Sequence, residues 1–340
     1  MVIAGGGIAA AATAIRLRAL GRRVVLLVRD LPPAAGIEAV PRQALDLLDV
    51  LGEPDVAAKA GAVEVAGPVH EWHGVAGQVP GRFVHVDRAA LAATLLARVV
   101  QRGAVVQRVA RLPRPDEVPG SVVALVDGTG RAAAWSRPVR AEGRATAWQF
   151  RAPPDEDMSG RVVRAADWWA YRLGHARTTW VGVVTATGRP PASVLEAAAG
   201  RLGLSVASLV PQGRRPAGVQ RATQPVAGRR IAVGDAALAH DPIAGQGVRF
   251  ALGSAIAAAN TVATVADDPA QREVGADYYR GLVEAERSTH RALLDRLFDA
   301  DSTAPVAARR PSPAMVRLGA AVVQAPLSVN GRVRLGPALR

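Results

Sequence analysis

The chain has no cysteine. That excludes a disulfide framework, an iron–sulfur cluster, a cysteine-based zinc site and a thiol nucleophile. Lysine is nearly absent too: Lys59 stands alone, so the net charge of +13 is carried by arginine. Aromatic residues make up only 4% and the basic residues are scattered, which leaves few stacking platforms and no basic patch for a nucleic acid. A solvated arginine-rich surface is the reading. The G-x-S-x-G, Walker A and H-E-x-x-H patterns are absent. His70 and His73 have i,i+3 spacing but no third ligand in view, so no metal site is expected. The longest apolar stretch, Val248 to Ala266, carries Arg249 and Asn260 and reads as a buried helix, not a membrane span. The first residues, MVIAGGGIAAAATAI, lack a positive n-region and contain three consecutive glycines, so they do not read as a signal peptide. A cytoplasmic protein with no membrane partner is the expectation.

What is present is a globular composition. Over 340 residues, 49% are apolar and 21% charged, enough to bury a core in one large domain or two ordinary ones. Residues 1–30 read as strand, glycine turn, helix, strand: a βαβ unit, with Val24 to Val28 the continuous apolar run of a strand buried on both faces. Residues 42–51 read as a helix, 61–81 as an irregular glycine-rich segment, 86–102 as an amphipathic helix and 121–126 as a buried strand. Strand-like runs dominate 140–220, notably 179–185, with one helix at 192–202. A short strand at 231–233 leads into a long helix from about Val248, and a charged amphipathic helix covers 277–299. From Thr303 the chain is rich in Pro and Arg and reads as a loosely attached tail.

Three glycine-bearing turns carry the chemistry. Gly5-Gly6-Gly7-Ile8-Ala9-Ala10 fits G-x-G-x-x-(G/A) between a strand and a helix. Gly5 would make the tight turn, Gly7 would admit a pyrophosphate, and Ala10 would keep helix and strand close, with the helix N–H groups facing the phosphates. The second strand should end in an acid for the ribose hydroxyls, but Val28 stands there and Asp30 is the possible substitute. Asp127-Gly128-Thr129-Gly130-Arg131 is a second strand end turning through glycines. The third is Gly234-Asp235 followed by Pro242 and Gly245-Gln246-Gly247. Its carboxylate can accept bonds from sugar-alcohol hydroxyls, and its G-Q-G run opens a helix whose N–H groups can face developing negative charge.

In their order, GGGIAA, VDRAAL, DGTGR and GDAALAHDPIAGQG resemble the single-component FAD-dependent aromatic hydroxylases and the related flavin-dependent halogenases, over about residues 1–300. VDGTGRAAAW together with DWWAY is similar, more narrowly, to the branch that assists tryptophylquinone formation by acting on a protein-bound tryptophan. The resemblance implies an α/β, Rossmann-like fold: a three-layer FAD-binding domain with a parallel sheet, assembled from 1–135 and 223–266. A β-rich substrate region at 136–222 is inserted, C-terminal helices cover 267–302, and a basic tail covers 303–340. It implies that Gly5, Gly7 and Ala10 hold the pyrophosphate, that Arg88 contacts FAD near its phosphates, that Asp235 binds the ribityl chain and that Pro242 with Gly245, Gln246 and Gly247 lines the isoalloxazine. Asp30 and Asp127 are further cofactor candidates. Trp168, Trp169 and Tyr171 either wall an aromatic substrate pocket or form sheet core. His240 either lies beside the flavin as a catalytic group, with Pro242, or sits at the surface. The implied activity is monooxygenation of an electron-rich aromatic ring, of a small molecule or a peptide, by O2 through a C4a-hydroperoxyflavin. NAD(P)H or an external flavin reductase would be the electron source. The rivals are a halogenase, which would need a catalytic lysine and has only Lys59, and a non-catalytic FAD-fold partner protein. The absence of cysteine excludes a cysteinyl–flavin bond.

Overall fold

The computed structural model describes residues 1–31, 35–72, 75–186 and 188–298. His73 and the basic tail lie outside the described residues. The glycine turn after the first strand, Val2–Ala4, launches a helix over Ile8–Ala19, and the chain returns as the strand Val25–Arg29 beside the first. The expected βαβ unit is therefore formed. Parallel neighbours Leu125–Asp127 and Val105–Val109 flank this pair, and Arg230–Ala232 adds on the far side of Leu125–Asp127 with a short antiparallel hairpin strand at its edge.

One face of this six-stranded sheet is covered by helices Ile8–Ala19, Arg88–Gln101 and Gly247–Asp267. Alanine dominates where the first and third of these meet the core, which lets the backbones approach closely. The Gly247–Asp267 helix is long and apolar enough to cross a membrane, and here it is largely buried inside the protein. Its polar Asn260 is matched by Arg16, whose Nε donates to Oδ1 at 2.9 Å. The other face of the sheet is covered by the segment around Leu112, Val118 and Val122 together with the buried Trp135. Helix, sheet and covering segment are the three layers.

The second lobe is a seven-stranded, mostly antiparallel sheet built on Thr146–Ala152, Gly160–Arg164, Trp168–His175, Thr178–Thr185 and Val210–Pro216. Its remaining two strands, Val69–Trp72 and Val75–Gln78, come from the stretch expected to be irregular. The division at residue 136 is thus corrected: the sheet recruits two strands from before it. These strands alternate apolar and polar residues too briefly to stand out from a glycine-rich context. Val63–Ala66 forms a small sheet with Ile37–Pro41 and Arg82–Asp87.

Helix bounds move by physical cause. The 86–102 helix begins at Arg88, because Val86 and Asp87 belong to a strand and Asp87 is the cap, accepting from the N–H groups of Ala89 and Ala90. Residues 42–51 divide into a 3-10 turn and a short helix, Asp46–Val50. The strand expected at 121–126 is confined to Leu125–Asp127. A 3-10 turn at Pro269–Gln271 precedes a single C-terminal helix, Arg272–Phe298. Trp72 Nε1 and Arg164 Nη1 both donate to the carbonyl of Leu297, at 2.8 and 2.7 Å, tying that helix end to the second sheet.

Candidate functional site

The three glycine turns converge. Gly5 has φ +117°, and a Cβ there would overlap the carbonyl oxygen of Gly128, so the first and second turns touch backbone to backbone. Ala10 lies beneath Gly128 and is fully buried. Gly7 behaves differently. It caps the first helix in an extended conformation, with no side-chain cap, and a Cβ there would meet nothing within 4 Å. The helix N-terminus therefore presents uncapped N–H groups and its positive dipole end to open space. That space is a cleft, partly open to solvent, lined by Gly7, Gly128, Gly130, Arg88, Asp235 and Gly247 among others.

Charge in the cleft is arranged in opposition. Arg88 Nη1 lies 2.7 Å from Glu38 Oε1, and the Glu38 charge raises the Arg88 pKa against the opposing effect of burial, with Asp235 adding to it. Arg131 and Arg215 also lie in the field of Asp235, and burial lowers the pKa of both. Asp241 acts on Arg131 as well, so three arginines face three carboxylates, and Arg88 is the cation that lines the cleft itself. Arg131 is anchored by donating to the carbonyls of Gly218 and His240, at 2.6 and 2.8 Å. The Pro242–Ala244 turn and Gly245, at φ +60°, then lead through Gln246 into the helix that begins at Gly247. Pro242 is exposed and shapes this turn; it carries no group that can move a proton.

Several expected roles are corrected. The Asp127 carboxylate is buried and spent inside its own loop: Oδ1 accepts from Thr129 N–H and hydroxyl at 3.0 and 2.6 Å, and Oδ2 from Trp135 N–H at 2.8 Å. Asp127 shapes the turn, with both carboxylate oxygens bonded within its own loop. Asp30 is not among the residues lining the cleft; its side chain is 83% exposed and meets Arg108 at 3.2 Å. Val28 packs on the glycine turn, where a Cβ on Gly6 would come within 2.8 Å of it, and offers no acceptor. His240 is neither at the surface nor in the cleft. Its ring is buried behind the Gly245–Gly247 turn, with Nε2 3.0 Å from Glu286 Oε1 and its edge against His290 at a 4.6 Å centroid distance.

The aromatic trio divides because successive strand residues face opposite ways. Trp168 packs between the second sheet and the helix Ala192–Arg201, among Phe150, Val181 and Leu202, beneath the Arg201 guanidinium. It is core, not a pocket wall. Trp169 and Tyr171 face the other way, ring centroids 5.6 Å apart, and Ile243 of the Pro242–Ala244 turn packs against the same cluster. Tyr171 lies flat on Gly182 of the neighbouring strand, where any Cβ would overlap its ring. Burial first, then the Glu38 charge, pushes its phenol up to about 12, so it stays a neutral donor.

Sequence reasoning missed Glu38, Arg215, Gly182 and Glu286. None sits in a motif: each reaches the site from a separate strand or helix. Arg131, by contrast, was visible in the DGTGR run.

A dinucleotide fits this cleft: uncapped helical N–H groups beside open space at Gly7, Arg88 beside them, and a carboxylate at Asp235 facing the same space. No protein-family profile matches the sequence, and no curated protein does. Solved structures do match. The peptidyl tryptophan dihydroxylase QhpG, essential for tryptophylquinone cofactor biogenesis, superposes with a TM-score of 0.73 at 22% identity, over 96% of this chain and 78% of its own. The flavin-dependent brominase Bmp2 gives 0.74 at 18%, over 94% and 92%. A flavoprotein/dehydrogenase from Cytophaga hutchinsonii gives 0.74 at 16%, over 95% and 91%. The chain therefore shares the three-layer α/β fold of these three structures.

Proposed function

We propose that this protein binds FAD non-covalently and oxygenates an electron-rich aromatic ring, with tryptophan, free or within a peptide, as the substrate class. The observation that carries the reading is the cleft at Gly7, Arg88, Asp235 and Gly247, joined through the helix that opens at Gly247 to the Pro242–Ala244 turn, whose Ile243 packs with Trp169 and Tyr171. The fold shared with a peptidyl tryptophan dihydroxylase supports it.

Bound FAD would supply the two-electron chemistry and the reaction with O2. The residues divide the remaining tasks. The helix N-terminus at Gly7 and the guanidinium of Arg88 hold the diphosphate. Asp235 accepts from sugar-alcohol hydroxyls. The N–H groups opening the helix at Gly247 stabilise negative charge at the edge of the ring system. Trp169 and Tyr171 hold the substrate ring and, with Ile243, exclude water. Tyr171 remains a neutral donor.

Hydroxylation is favoured over halogenation by the position of Lys59. It is exposed, pairs with Asp55 on the short helix Val56–Lys59, and is not among the residues lining the cleft. No other lysine exists to handle hypohalous acid.

The test is reconstitution with FAD followed by desalting, chemical reduction, and exposure to air with a tryptophan-containing peptide and bromide. Retained flavin absorbance and a product heavier by one or two oxygen atoms are expected. A brominated product would move the assignment to halogenase. Loss of all flavin on desalting, with no measurable affinity, would leave a non-catalytic partner protein. Running the reduction with NADH, NADPH or a separate flavin reductase identifies the electron source.

A further inference from the structure

A carboxylate at the end of the second strand of a dinucleotide fold has two effects. It accepts from the hydroxyls of the adenosine ribose, and its charge repels a phosphate carried on the same ribose. Neither effect operates here. The strand Val25–Arg29 runs beside the glycine turn, and Gly5 N–H donates to the Leu27 carbonyl at 2.9 Å. Val28 follows, buried against Gly6, where a Cβ would come within 2.8 Å of its methyl group. Its neighbour in the sheet is a cation. The edge strand Val105–Val109 pairs parallel with Val25–Arg29 and aligns Arg108 with Val28, so the two side chains stand on one face. Arg108 is 70% exposed, and its partner Asp30, at 3.2 Å, is more exposed still. An ion pair this open to water contributes little. A phosphate, which takes a guanidinium through two parallel N–H bonds, can displace the Asp30 carboxylate from it. Asp127, the acid at the end of the strand on the other side of Val2–Ala4, is bonded inside its own loop.

We propose that the adenosine end of the cleft accepts a ribose bearing a 2′-phosphate: Val28 removes the exclusion, and Arg108 binds the phosphate. A 2′-phosphorylated adenine dinucleotide therefore competes with FAD for this cleft. The inference rests on the dinucleotide reading of the cleft given above.

The measurement is displacement of bound FAD, followed by flavin fluorescence, with two probes that differ by one group: ADP and 2′-phospho-ADP. On the wild type, 2′-phospho-ADP should displace FAD at least as well as ADP does. Arg108→Gln should weaken 2′-phospho-ADP by about threefold to tenfold and leave ADP within about twofold. Val28→Glu should restore the exclusion, so that ADP is preferred about tenfold or more. A wild type that prefers ADP tenfold overturns the proposal, and so does an Arg108→Gln protein that binds both probes as the wild type does. Arg108 is exposed at a sheet edge, so its variant decides the matter even where Val28→Glu does not fold. If the wild type binds neither FAD nor ADP, the reading of the cleft falls and this inference with it. If both bind and 2′-phospho-ADP fails to displace FAD, this inference falls alone.

Discussion

Gly7→Val separates folding from binding. At Gly7 the backbone is already in a region open to any residue, and the space a side chain would enter holds no protein atom within 4 Å. The apoprotein should therefore lose no more than ~1 kcal/mol, the difference between a glycine and a branched residue at a helix N-cap. The ligand meets a different situation. The two methyl groups would stand where a diphosphate must approach the helix N–H groups, and each charge-assisted hydrogen bond lost is worth ~1.5–3 kcal/mol. Losing one or two gives about 3 kcal/mol, roughly a hundredfold in Kd. Two controls bracket the result. Gly5→Val, at φ +117° and against the Gly128 carbonyl, should destabilise the fold itself by ~3 kcal/mol or more. Asp30→Ala, at an exposed ion pair, should change neither stability nor affinity by more than ~0.5 kcal/mol. Flavin fluorescence titration reads Kd, and thermal denaturation of apoprotein reads folding. If Gly7→Val binds FAD within threefold of wild type, the first helix does not hold the diphosphate and the cleft has been assigned to the wrong ligand.

Other outcomes follow from the same structure. Trp168→Ala and Trp169→Ala both truncate buried side chains and should each cost ~3–5 kcal/mol in denaturant melts, while Trp169→Ala alone should also weaken aromatic substrate binding, about tenfold at most, in titration. Gly182→Ala should displace the Tyr171 ring and weaken substrate binding while leaving flavin affinity unchanged in titration. The buried cluster at Glu286 sets an acid limit. Burial raises the Glu286 pKa, but its bonds to His240 and Arg249 outweigh this and hold it at about 2, so its stabilisation is complete above its ordinary 4.5 and is lost as pH falls from there towards 2. Burial, then the neighbouring His240, pushes His290 from 6.5 to about 3, so the unfolded chain takes up that proton first and stability falls as pH drops through this window. Asp241, raised by burial to about 6, works in the opposite direction between its ordinary 3.8 and 6. His290→Gln should flatten the pH dependence of Tm between 6.5 and 3, and Glu286→Gln that between 4.5 and 2.

The dinucleotide half of the site was legible because its parts are local. A glycine turn must follow its strand directly, and a helix must follow the turn, so GGGIAA and GD…GQG each announce themselves within a short local run. The same locality misled at Asp127 and Asp30: a carboxylate at a strand end reads as a ligand, and only the tertiary structure shows one bonded to its own loop and the other turned to solvent. The substrate half was less legible. Trp168 and Trp169 are adjacent in sequence and on opposite faces of a sheet, and the period of a strand does not by itself say which face meets the cleft. Glu38, Arg215 and Gly182 come to the site through strand pairings across the chain, which carry no local signature.

The two strands that Val69–Gln78 lends to the second sheet have a consequence for anyone who would cut this protein apart. Gly160–Arg164 has Trp168–His175 on one side and Val69–Trp72 on the other. A fragment of residues 136–222, which looks in sequence like a transferable cassette, would carry Gly160–Arg164 with one side bare, a row of unpaired amides and carbonyls ready to recruit another chain. The second lobe is therefore not a module that can be exchanged at two cut points. It is stitched to the first lobe early and late in the chain, and grafts of it must carry residues 67–81 with them or accept aggregation as the outcome.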